Sequence, residues 1–175
     1  GVVNILIDGK ISLSLSEMAE SAMDLAGMGE EAKRQKVLDS FQEFFRLRLK
    51  NVLSDAGVRY DIIDALLATS TNDVYDAWLR ALAMASPEGT AALERAVEAF
   101  TRAANLAGKT ECENVEESLF ENAAEASLYQ ACEAAESRIA GAINDQEYLA
   151  ALQVIADLAA PIDAFFASVM VMAED

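Results

Sequence analysis

Residues 30–57 read EEAKRQKVLDSFQEFFRLRLKNVLSDAG, and this stretch decides the fold. At about 100° per residue, Leu38, Phe41, Phe45, Leu49, Val52 and Ala56 fall within roughly 40° of one line, which describes a helix with a single core face. Gly57 then stands where a helix needs a residue with left-handed backbone to stop. Working back toward the N-terminus, Ser14 with Glu17 three residues later forms a capping box for a helix to about Ala26, broken by Gly27 and Gly29. Residues 1–7 read as the end of a helix stopped at Asp8-Gly9. Working forward, helices are expected at about 60–69 and 72–85, with Trp78 beside Leu79 and Leu82 in the core. Ser86 caps a helix from Pro87 to Ala107 that Gly108 ends. Asn122 and Glu125 make a second capping box for a helix to about Ile143. Further helices are expected at 145–159 and, after Pro161, through Met172.

Only eight glycines and two prolines interrupt the chain, and no period-2 strand pattern persists. The fold class is therefore all-α. Short polar connections imply antiparallel neighbours, hence an antiparallel helical bundle forming a single domain over 1–175, with no linker long enough to divide it. At 53% hydrophobic and 25% charged residues, the 175-residue chain carries enough apolar surface to offset the entropy of ordering it.

The absence of histidine removes Ser-His-Asp and Cys-His nucleophile arrangements, the usual zinc sites and the commonest near-neutral acid or base. The many carboxylates form neither an Asp-x-Asp-x-Asp-Gly calcium loop nor a Glu-x-x-His pair, so solvated helix faces account for them. Cys112 and Cys132 lie 20 residues apart without a CxxC spacing or basic activation, and read as inert cytosolic thiols. The greasiest stretch, Tyr148 to Met172, is interrupted by Asp157, Pro161 and Asp163 and reads as core helix rather than membrane span.

A net charge of −17 argues against whole-surface attraction to nucleic acid or anionic membrane. The average conceals an asymmetry. Residues 110–175 hold Arg138 against fourteen acids, whereas residues 33–59 hold seven bases against Asp39, Glu43 and Asp55. That basic island is where a polyanion could land, because phosphate recognition needs Lys and Arg on one surface. Arg46, Lys50 and Lys36 share one flank of the 30–56 helix with Asp39 and Glu43, so a solvated face of i,i+3 pairs is the competing reading. Arg48 lies only about 60° from the core line, where it either snorkels or lines a groove. Arg59 and Tyr60 place a cation beside an aromatic on a loop, suited to phosphate and base-stacking contacts. Arg80, Arg102 and Asn105 are sparse polar positions on alanine-rich helices, which helix solubility also explains.

Several segments together resemble a known family. They are Gly1-Val2-Val3-Asn4-Ile5-Leu6-Ile7, the leucine-serine repeat Ser12 to Leu15, Phe44-Phe45-Arg46-Leu47-Arg48-Leu49, and Gly57-Val58-Arg59-Tyr60 running on to Ala68. Leu119-Phe120-Glu121 with Leu128-Tyr129 and, above all, Pro161-Ile162-Asp163-Ala164-Phe165-Phe166 followed by Val169-Met170-Val171-Met172 complete the set. Over the length of the chain they resemble the C-terminal part of the bacterial glycyl-tRNA synthetase β subunit. That resemblance implies a DALR-type helical anticodon-binding domain truncated at both ends relative to the family, with Asp76-Ala77-Trp78-Leu79-Arg80 a loose echo of the name-giving motif. It also implies a cytoplasmic protein whose partners are glycine tRNA and the synthetase α subunit, in a heterotetramer, with neither membrane nor DNA. The holoenzyme would be a glycine-tRNA ligase, an aminoacyl-tRNA synthetase whose ATP and Mg are used by the α subunit. The fragment itself would carry no cofactor, no metal and no catalytic residue. Its tRNA-binding residues would be Arg46, Arg48, Lys50, Arg59 and Tyr60, with Arg80, Arg102 and Asn105 secondary. In the family a basic helix matches Thr101 to Lys109; here Arg102, Asn105 and Lys109 remain, while Asn4 stands where an arginine is usual. The alternative expectation is a structural module that docks subunits through its alanine-rich helices and the Phe165-Phe166-Met170-Met172 face, without direct RNA contact.

Overall fold

The computed structural model describes residues 1–108 and 115–168. Among these residues the structure is helical throughout, with no strand and one isolated bridge between Ser14 and Asp73. The all-α expectation therefore stands. Contacts gather into two compact units, Gly1–Ala85 and Ser86–Asp175, where the sequence suggests one domain. No linker separates them. Ser86 caps the first helix of the second unit directly, its hydroxyl accepting from the Gly89 N–H at 3.0 Å, so no shift of composition marks the boundary.

The first unit holds α1 (Val2–Asp8), α2 (Leu15–Leu25), α3 (Glu31–Asp55), α4 (Tyr60–Leu67) and α5 (Val74–Ala85). Helix α3 packs on the other four. Its buried residues are Phe45, Leu49 and Leu53, with Phe41 and Val52 partly buried beside them. Ala56, expected on this face, is exposed, and Leu53 takes its place. The two lie three residues apart, and the face rotates toward Leu53 because the chain reverses at Gly57 and carries Val58 into the core. The reversal has φ +81° at Gly57, with the Val58 N–H bonded to the Leu53 carbonyl at 3.1 Å and the Gly57 N–H to the Ser54 carbonyl at 3.0 Å. Val3, Leu6, Leu15, Ile62, Ile63, Leu66, Leu67, Val74, Ala77 and Ala81 complete the core, and Trp78 packs against it partly buried.

A polar clasp fastens the start of α2 to the 69–73 turn. Asn72 accepts from the Ser16 N–H at 2.9 Å and the Ser16 hydroxyl at 2.8 Å, and its amide donates to the Ser14 hydroxyl at 2.9 Å. Gln42 on α3 donates to the Ser16 hydroxyl at 3.0 Å, and Ser12 donates to Asp73. The Ser14 hydroxyl also accepts from the Glu17 N–H at 3.2 Å, which is the serine half of the expected capping box; among the described residues no return bond from the Ser14 N–H to the Glu17 side chain accompanies it.

The second unit holds α6 (Pro87–Ala107), a 3-10 turn at Glu117–Leu119, α7 (Ala123–Asn144), α8 (Tyr148–Asp157) and α9 (Ala159–Ser168). Both halves of the Asn122–Glu125 capping box form. Alanine sets the packing: Ala92, Ala96, Ala99, Ala135, Ala151 and Ala156 are buried together with Val154 and Ile162. Small side chains let helix axes approach closely, so this unit is built on contact area rather than on large side chains. The Tyr148–Ser168 stretch is long and apolar enough to cross a bilayer by length and composition, with 28% of its most apolar window buried. It is broken at Leu158 into α8 and α9, and its carboxylates turn to arginines of α6: Asp157 lies 3.8 Å from Arg95 and Asp163 lies 2.6 Å from Arg102. Phe165 and Phe166, expected on a docking face, are half-buried and meet edge to face at 5.5 Å. Met170, Met172, Cys112 and Lys109 lie outside the described residues.

Candidate nucleic-acid interface

The basic island sits on α3 and at the start of α4, and most of its cations already hold a carboxylate. Arg46 bonds Glu43 at 2.8 Å and reaches the Leu67 carbonyl at 3.4 Å. Lys50 meets Asp64 of α4 at 3.2 Å, and Arg59 meets Asp61 at 2.5 Å. Arg46 and Lys50 thus line one shallow groove between α3 and α4, together with Leu47, Asp64 and Leu67. The guanidinium of Arg59, hydrogen-bonded to Asp61, holds that carboxyl below the usual carboxylate range. A lowered carboxylate pKa means the pairing is complete above the ordinary Asp range and is lost as pH falls through the folded value, so it is intact near neutrality. Tyr60, next to Arg59, is 81% exposed.

Arg48 differs from its neighbours. Among the described residues no carboxylate lies within ion-pair distance of it. Its guanidinium carbon instead sits 3.2 Å over the Phe44 ring, and one N–H donates to the Phe44 carbonyl at 3.2 Å. It is also among the residues that line a groove of about 350 Å³ between α1 and α3. The i,i+4 spacing of Phe44 and Arg48 was the available signal for that stack.

The remaining candidates are held by partners of their own. Arg80 turns inward to the 69–70 turn, donating to the Ser70 carbonyl at 2.8 Å and the Thr69 hydroxyl at 3.3 Å, and lies 2.9 Å from Asp76. Its side chain is only 26% exposed. Arg102 and Asn105 belong to the second unit, where Arg102 is held between Asp163 and the Phe166 ring, 4.5 Å to its centre. Asn105 is exposed. Cys132 is exposed, and the partial desolvation of its thiol raises the pKa above its ordinary value. Among the described residues no three His, Cys, Asp or Glu side chains gather as a metal site.

The family model described as glycyl-tRNA synthetase beta subunit matches residues 1–68, the part that contains the island. Curated glycine–tRNA ligase beta subunits match all of the chain: that of Desulforamulus reducens is 37% identical, that of Desulforudis audaxviator 35% and that of Clostridioides difficile 33%. Over its whole length the chain is similar to glycyl-tRNA synthetase β subunits. It spans about a quarter of the length of those three relatives, 26%, 25% and 25% respectively. The resemblance carried by the sequence motifs and these matches agree, and both extend through the second unit, which the family model does not reach.

Proposed function

We propose that this chain is a tRNA-binding helical module of the DALR anticodon-binding type within the β subunit of a cytoplasmic glycine-tRNA ligase. In this reading the anticodon arm of glycine tRNA lies on the basic island around Arg46, Arg48, Lys50, Arg59 and Tyr60, meeting Arg46 and Lys50 on one flank of α3 and Arg48 on the other, with Arg80, Arg102 and Asn105 secondary. The β subunit pairs with an α subunit in a heterotetramer that uses ATP and Mg to attach glycine, and this module holds RNA without catalysing. The single observation that carries the reading is the match of the whole chain to glycine–tRNA ligase beta subunits. The island supports it physically. Exposed ion pairs such as Arg46–Glu43, Lys50–Asp64 and Arg59–Asp61 are screened by solvent and contribute little net stability, so an RNA phosphate can displace the carboxylate readily.

The test is a titration of glycine tRNA against the full β subunit with its α partner, at several salt concentrations, comparing wild type with the Arg46→Glu, Arg48→Glu, Arg59→Glu triple variant. Each lost phosphate contact lowers the log–log salt slope by roughly 0.7 to 0.9. Affinity and slope unchanged in a folded triple variant overturn the assignment of the interface.

A further inference from the structure

Between α3 and the 69–72 turn lies a further groove, of about 250 Å³, whose lining is mostly polar. Asp39, Gln42, Glu43 and Arg46 line it from α3, spaced as one helical stripe, and Thr71 and Asn72 line it from the turn. No aromatic side chain is among its lining residues. The Asn72 clasp builds one wall: Gln42 donates to the Ser16 hydroxyl at 3.0 Å, and that hydroxyl donates to Asn72 at 2.8 Å, so the turn and α3 are held in register. Two lining groups keep bonding capacity in reserve. Gln35 donates to one oxygen of Asp39 at 2.7 Å, and the other oxygen accepts nothing among the described residues. Thr71 is half-buried, and its hydroxyl makes no bond among the described residues. Arg46 lines this groove and also the neighbouring one that holds Lys50. Arg46 and Lys50 continue the same stripe four residues apart, about 6 Å along the helix, which is the scale of one sugar-phosphate step.

We propose that this groove seats one ribose of an RNA strand whose phosphates rest on Arg46 and Lys50, with the 2′-hydroxyl donating to Asp39 and accepting from Thr71, so that the groove tells RNA from DNA. The proposal rests on the RNA-binding reading given above. A 2′-hydroxyl is both donor and acceptor, and it is the group by which a protein distinguishes the two nucleic acids. A carboxylate can only accept and a threonine hydroxyl can donate, so Asp39 and Thr71 are a complementary pair for it. The other parts of a nucleotide suit the groove less. A phosphate placed inside would meet the like charges of Asp39 and Glu43, and belongs at the rim where Arg46 and Lys50 stand. A base would find no aromatic ring to stack on. The carboxylates that make the α3 flank look like a plain solvated surface thereby acquire a use in recognition.

The experiment measures binding of the glycine tRNA anticodon stem-loop to the full β subunit with its α partner, across a salt series. Copies of the stem-loop carry a single 2′-deoxy or a single 2′-fluoro nucleotide at each loop position in turn. The fluoro copy keeps the sugar pucker of RNA and removes only the donor. Protein variants are Asp39→Ala and Thr71→Val, neither of which belongs to the Asn72 clasp, and thermal unfolding confirms that each is folded. Loss of the Asp39 charge raises affinity for every copy alike, so the readout is the ratio of unmodified to modified RNA. In wild type, one loop position is expected to lose about two- to tenfold on both substitutions, the worth of one hydrogen bond. Asp39→Ala should bring that ratio close to one, and Thr71→Val should reduce it. No sensitive position in wild type, a loss caused by 2′-deoxy but not by 2′-fluoro, or a loss that survives both variants overturns the ribose site while leaving RNA binding in place. Absence of salt-dependent binding to both the stem-loop and whole glycine tRNA overturns the RNA-binding reading and the ribose site with it.

Discussion

Gln146 has φ +58° and Lys10 has φ +51°, both in the left-handed region that β-carbons resist. Each ends a helix in the way Gly57 and Gly27 do. After Gln146 the Glu147 N–H returns to the Ala142 carbonyl at 2.8 Å, and after Lys10 the Ile11 N–H returns to the Leu6 carbonyl at 2.9 Å. A left-handed backbone costs a non-glycine residue about 1–2 kcal/mol, and glycine's greater unfolded-state freedom offsets roughly 0.5–1 of that. Gln146→Gly is therefore expected to stabilise the protein by about 0.5–1 kcal/mol, and Gly57→Ala to destabilise it by about 1 kcal/mol. Urea unfolding checks both, and a destabilising Gln146→Gly would show that the Gln146 side chain contributes more than its backbone strain removes. Gly57 and Gly27 announce these reversals in the sequence; Gln146 and Lys10 do not, because nothing about their side chains favours the conformation the turn imposes on them.

Helix α3 is the element on which both core and candidate interface depend, and its two faces should respond differently to truncation. Leu49 and Leu53 are fully buried, so replacing either by Ala is expected to cost about 2–5 kcal/mol. Leu47, on the island side, is 49% exposed, and Leu47→Ala should cost under about 1 kcal/mol. Ala56→Ser should fall within about 0.5 kcal/mol, although helical periodicity alone puts Ala56 on the core line. Equal losses for Leu47→Ala and Leu53→Ala in denaturant titrations would mean that the face is misplaced. Local signals located most helices to within a few residues, since capping boxes and a proline in the first turn act through nearest neighbours. The start of α9 shows their reach. The helix begins at Ala159, before Pro161, because a proline within the first turn lacks only an N–H that has no helical partner anyway. The site was less legible. Lys36-type i,i+3 reasoning anticipates Arg46–Glu43, but the partners of Lys50 and Arg102 come from 14 and 61 residues away, and only the fold brings Asp64 and Asp163 to them. Arg80 looked like an interface candidate for the same reason: its acceptors at Thr69 and Ser70 belong to a turn whose path the Asn72 clasp determines.

For the whole chain, a net charge of −17 and a local excess of four positive charges act over different distances. In about 0.01 M salt the screening length is roughly 30 Å, so an approaching RNA feels the total, which repels it. In about 0.15 M salt the length is roughly 8 Å, and an RNA at the island feels Arg46, Arg48, Lys50 and Arg59 with their immediate carboxylates. Counterion release works in the opposite sense, weakening phosphate contacts steadily as salt rises. The two together predict a bowed plot of log affinity against log salt for tRNA binding by this 175-residue chain: a slope typical of several phosphate contacts above about 0.1 M, flattening or reversing below about 0.02 M. Replacing Glu116, Glu117, Glu133 and Glu136 by Gln removes four negative charges from exposed positions outside the island. That variant is expected to straighten the plot and raise affinity at low salt, while its affinity at 0.15 M stays within about twofold of wild type. Fluorescence anisotropy with a labelled glycine tRNA, read at six or more salt concentrations for both proteins, decides the matter. Parallel straight lines would show that the acidic residues are not felt at the binding face. A drop in the variant's affinity at 0.15 M would show instead that one of these glutamates supports the face on which RNA rests.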